Sequence, residues 1–71
     1  MQPHQQRVVD EYNQTSERVT KLSEFIRGDV YPKLPEAEQD RLRRQELLMT
    51  GLVQILAERI AAFPIDPPAA A

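Results

Sequence analysis

The amino-acid sequence predicts an all-α chain: a two-helix antiparallel hairpin of coiled-coil character, copies of which assemble into a homo-oligomeric helical bundle. Three observations carry that expectation. Two long segments have apolar residues at helical spacing. A short stretch holding Gly28, Asp29, Pro32 and Pro35 separates them and turns the chain. The apolar arc of the second segment is wider than a single neighbouring helix can cover.

The first helix is expected over residues 3–27. It contains no glycine or internal proline, and Val8, Tyr12, Val19, Leu22 and Ile26 fall at heptad spacing, with Thr15 in the remaining seam position. Pro3 suits the first helical turn, where its missing N–H is no loss, and Glu17 precedes Lys21 by one turn in the favourable orientation. Gly28 is expected to end this helix in the left-handed backbone conformation. In the connection, residues 28–34, the apolar residues Val30, Tyr31 and Leu34 are expected to tuck against the end of the hairpin, with room for a single helical turn.

The second helix is expected over residues 35–63. Pro35 fits its first position, and Glu36, Glu38 and Asp40 place negative charge at the positive end of the helix dipole. Leu42, Met49, Leu52, Leu56, Ile60 and Phe63 make one face, which Leu47, Leu48, Val53 and Ile55 widen. One flank of this arc is expected on the first helix. The other is expected on further copies of the chain, through Leu48, Met49, Leu52, Ile55 and Leu56. The hairpin thus occupies residues 1–63. Residues 64–71 read as a Pro/Ala-rich flexible tail or, alternatively, as a strap laid across a neighbouring subunit through Ile65 and the prolines.

Size and composition agree with self-association. A chain of 71 residues has room for one domain, and a core this small contributes only about 3–5 kcal/mol unless something reinforces it. There are no cysteines and one histidine, His4, so neither a disulfide nor a thiolate or His-rich metal site can supply the reinforcement. A net charge of −2 argues against binding bulk nucleic acid. No apolar run approaches the length that spans a bilayer, and the chain is expected to be cytoplasmic.

No constellation of nucleophile, base, metal ligands or facing carboxylates stands out, so an enzyme is not expected, nor a cofactor. The strongest local charge feature is Arg41, Arg43 and Arg44. Guanidinium groups take phosphate in bidentate fashion, and in an oligomer these arginines, with Arg7 or Tyr31 from a neighbouring element, would line a shared anionic-ligand pocket. Glu38 and Asp40 lie at helical spacing from Arg41 and Arg44, and ion pairing along the helix is the alternative. Tyr31 is the candidate for stacking on a base, Tyr12 a seam residue. Gly51 inside a helix implies that another backbone or a ligand comes close.

The segments HQQRVVDE (His4–Glu11), LPEAEQ (Leu34–Gln39), RLRRQ (Arg41–Gln45) and ERIAAF (Glu58–Phe63) resemble, in this order, a family of short phage and prophage proteins. The resemblance implies a viral origin, and for accessory proteins of this class it implies action by stoichiometric binding. Two modes are open: a counter-defence sponge that sequesters a nucleotide immune signal between subunits, and a hairpin that lays an apolar helix face on a host protein and blocks it. An assembly role in the virion is a third.

Overall fold

The structure, a computed structural model, describes residues 1–64. The expectations for the tail, apart from Pro64, lie outside the described residues. Helix α1 spans Pro3–Ile26, a single 3-10 turn spans Tyr31–Lys33, and helix α2 spans Glu36–Ala61. The two helices pack against each other as a hairpin, and no strand occurs among the described residues.

Helix α1 begins as its sequence suggests. Pro3 occupies the first turn, and the Gln5 side chain accepts a hydrogen bond from the Gln2 N–H at 2.9 Å, satisfying a donor the helix leaves free. Its end corrects one expectation. Gly28 does not take the left-handed conformation; no glycine among the described residues has positive φ. A Cβ there would sit 3.3 Å from the Phe25 carbonyl oxygen and 3.5 Å from that of Glu24. Glycine serves here by leaving the last carbonyls of α1 unobstructed, while its own N–H donates to Phe25 at 3.0 Å.

Helix α2 starts from the Pro35 carbonyl, which accepts from the Glu38 and Gln39 N–H groups at 2.9 and 3.0 Å. Pro35 therefore caps the helix from just outside it. At the far end Ala62 and Phe63 close the last turn through their N–H groups onto Glu58 and Ile60, so regular helix stops at Ala61. Helix α1 ends one residue short of 3–27, and α2 starts one residue later and ends two residues earlier than 35–63, the difference lying in these capping residues.

The core is the seam read from α1 and one stripe of α2. Val8 and Thr15 of α1, Leu56 of α2 and Tyr31 of the turn are buried, while Tyr12, Val19, Leu22 and Ile26 are half-buried. Across the helices the Ser23 hydroxyl donates to the Glu46 carboxylate, which sets residue 23 level with residue 46 near the connected end. Leu56, expected between copies, is instead the most deeply buried side chain of the hairpin, 1% exposed. It falls on the same helical stripe as Met49 and Ile60, both half-buried, so α1 already covers it. Val30, expected to tuck inward with Tyr31 and Leu34, is exposed.

The rest of the apolar arc of α2 is uncovered. Leu47 and Leu48 are 71% and 74% exposed, Ile55 56% and Leu52 39%. Single exposed leucines are ordinary on a protein surface; a contiguous set on one helix is not.

Candidate functional site

The connection is bolted to α2 by two side chains. Tyr31 buries its ring and donates its hydroxyl to the Gln39 carbonyl at 3.1 Å. Gln39 in turn donates its side-chain amide to the Leu34 carbonyl at 2.9 Å and the Pro32 carbonyl at 3.3 Å. These carbonyls lie outside both α-helices, and Gln39 supplies each with a donor. The consequence is a rigid corner whose floor is an aromatic ring.

One turn further along α2, the Arg43 guanidinium carbon stands 5.7 Å from the centre of the Tyr31 ring, within cation–π range. Tyr31, Glu36, Gln39, Asp40 and Arg43 line an open cleft of about 200 Å³. Drug-sized ligands usually occupy roughly 300–1,000 Å³. One chain therefore offers a subsite rather than a complete pocket.

The arginine cluster divides by helical geometry. Arg41 pairs with Glu38 and Arg44 with Asp40, each at 2.9 Å and each well exposed. Arg43 makes no ion pair among the described residues. The acidic residues at helical spacing from it are Asp40 and Glu46, and both are engaged elsewhere, by Arg44 and Ser23. Successive residues rotate by about 100° around a helix, so Arg41 and Arg43 point to different sides of α2. The three do not form one anion grip within a chain.

One further expectation changes. Tyr31 is only 5% exposed and has Arg43 over its ring, so the ring supports the cleft from beneath, and the group exposed outward is the Arg43 side chain. Arg7 lies in the second turn of α1, 16 residues before Ser23, hence roughly 24 Å away along the helix axis from the connected end. It does not reach the cleft of its own chain. Glu36, Gln39 and Asp40 were not singled out by their sequence pattern as site residues. Gln39 had a signal: it is the amide side chain nearest to carbonyls freed by Pro32 and Pro35.

Gly51 is not explained inside the hairpin. A Cβ built on it meets nothing within 4 Å, so no helix of its own chain approaches there. Among the described residues no three His, Cys, Asp or Glu side chains are grouped to hold a metal. No helix there is long and apolar enough to cross a membrane.

A family model described as Sequestin matches residues 2–62, which include both helices, the connection and every residue of the cleft. The chain belongs to the Sequestin family. The family name denotes a sequestering, binding role. The matched stretch contains the four segments His4–Glu11, Leu34–Gln39, Arg41–Gln45 and Glu58–Phe63, except Phe63 itself. Neither the curated proteins nor the solved structures include a significant match to this Sequestin chain.

Proposed function

We propose that this Sequestin-family chain is a non-enzymatic, cytoplasmic phage protein that neutralises a host immune signal by sequestering it. The signal is an anionic nucleotide held where copies of the hairpin meet. The observation that carries the reading is Arg43: a guanidinium held 5.7 Å from the centre of a buried aromatic ring, without an ion pair among the described residues, lining a cleft. A guanidinium so placed stacks on a nucleobase or takes a phosphate oxygen.

Charge decides which part of a nucleotide the cleft suits. Glu36 and Asp40 face the same space as Arg43, so a single cleft carries more negative than positive charge and repels a polyphosphate. Two carboxylates and the amide oxygen of Gln39, whose nitrogen is committed to Pro32 and Leu34, instead suit ribose hydroxyls and the exocyclic amine of a base. In this reading the base and sugar sit on Arg43, and positive charge for the phosphates comes from a second copy, where the exposed Arg7 is the available group.

A second reading, a hairpin that blocks a host protein, is favoured by the exposed Leu47, Leu48 and Ile55. Native mass spectrometry with ADP and with cyclic di-AMP separates the two. Sequestration gives an oligomer carrying a stoichiometric nucleotide, lost in Arg43→Ala and kept in Lys21→Ala, which removes only an exposed pair with Glu17 on α1. If the assembled wild-type protein carries neither nucleotide and captures none from a small-molecule extract of infected cells, the sequestration reading fails.

A further inference from the structure

The uncovered face of α2 is more regular than a scatter of exposed leucines. Arg41, Arg44, Leu48, Gly51, Ile55 and Glu58 follow one another at spacings of three and four residues, a continuous heptad seam. Ala37 and Ala62 extend it by one step at each end. Every one of these residues is exposed except Gly51, which is partly so, and the seam runs along the side of α2 away from the buried Leu56. A second seam on a helix whose first seam is already occupied calls for a second helix.

We infer that this seam pairs with the same seam of a second copy, the two α2 helices running antiparallel about a two-fold axis close to Met49 and Thr50. Charge and size both select that arrangement. Parallel pairing would set Arg41 on Arg41, Arg44 on Arg44 and Glu58 on Glu58, and would leave a gap where two glycines faced each other. Antiparallel pairing in the register that lays Leu48 against Gly51 of the second copy brings Arg41 opposite Glu58 of that copy. Two-fold symmetry makes each contact twice.

The remaining residues fit the same register. Ile55 meets Arg44, whose aliphatic stem covers it while its head keeps Asp40. Leu47 and Leu52, on the two flanks of the seam, each lie on the same side of the pair as their own counterpart, about 7.5 Å from it along the axis. All four exposed large apolar residues of α2 are thereby covered. Glu58, which has no ion pair among the described residues, gains Arg41. Arg41 gives up only an exposed contact with Glu38. Gly51 gains its reason: the open space over it is where Leu48 of the second copy inserts.

The pairing rests on the self-association in the reading above and not on its ligand. The chain has no cysteine, so engineered thiols report cleanly. Arg41→Cys and Glu58→Cys are prepared separately, checked for native helical content by circular dichroism, mixed and oxidised. Each mixed pair keeps one intact Arg41–Glu58 contact across the axis. The expected product is the mixed 41–58 disulfide, with little self-linkage of either variant. Self-linked 41–41 and 58–58 products in place of the mixed one would overturn the antiparallel register. So would a wild-type protein that stays monomeric in native mass spectrometry at tens of micromolar. A charge reversal gives a further check: Arg41→Glu and Glu58→Arg each shift dimer to monomer, and both in one chain restore the dimer. Cross-linking without nucleotide capture leaves the pairing standing and removes the ligand reading; capture without the cross-link does the reverse.

Discussion

Gly51→Ala separates the hairpin from its assembly, because the same methyl group has opposite effects on the two. Within one chain the substitution is free of strain. Gly51 lies in regular α-helix without positive φ, and the added Cβ finds no atom within 4 Å. Replacing an interior helical glycine by alanine is worth about 1 kcal/mol, or a rise of roughly 4–8 °C in Tm for a domain of this size. Between copies the methyl occupies the space that Leu48 of the second copy needs, and overpacking of this kind costs about 1–3 kcal/mol at each affected site. The assay is a thermal melt followed by far-ultraviolet circular dichroism across a dilution series, with sedimentation to report assembly. Wild-type Tm should climb with concentration, as mass action requires of a folded state stabilised by association. The variant should melt higher than wild type when dilute, lose that advantage as concentration rises, and dissociate more readily. A constant gain at every concentration would show that no copy packs over Gly51. A loss at the dilute end would refute the reading of the site as open helix.

Leu56→Ala should remove most of the helical signal of the isolated hairpin, since truncating a fully buried leucine costs about 2–5 kcal/mol, comparable to the whole core contribution of a chain this small. Ser16→Ala should raise stability by roughly 1 kcal/mol in a denaturant titration: its buried hydroxyl has no hydrogen-bond partner among the described residues, and alanine is the better helix former. Tyr31→Phe should cost about 0.5–1.5 kcal/mol by deleting the bond to the Gln39 carbonyl. It keeps the ring beneath Arg43, so nucleotide capture should survive it and be lost in Arg43→Ala.

The α1 seam was legible because one repeating pattern with one neighbour admits one solution. Val8 and Thr15 are buried where the heptad puts them, the threonine included, since position outweighs polarity at a site that α2 covers. The apolar arc of α2 was legible as too wide, but not where it divides. Leu56 and Ile55 are adjacent in sequence and about 100° apart on the helix, and only the placement of α1 decides that the first is core and the second surface. Gly28 was misread because a glycine after a helix serves equally well by positive φ or by absent bulk, and the choice depends on how the next residues leave. The arginines had their partition half written in the local spacing of Glu38 and Asp40. What spares Arg43 is the engagement of Glu46 by Ser23, a contact between residues 23 positions apart that no local pattern contains.

Asp40 joins the two proposals physically. Its carboxylate lines the cleft beside Arg43 and also holds Arg44 at 2.9 Å, and Arg44 is a seam residue. Pairing of the α2 helices confines the Arg44 side chain between Ile55 of the second copy and its own Asp40, which fixes the carboxylate that the cleft presents. In the proposed dimer a ligand that hydrogen-bonds Asp40 would meet an acceptor whose Arg44 partner is confined on both sides, and would therefore bind the dimer more tightly than the monomer. By linkage, the same ligand must strengthen pairing by the same factor. A sponge built this way gathers its subunits as it gathers its signal, and a single exposed ion pair of little intrinsic stabilising worth becomes the element that couples capture to assembly.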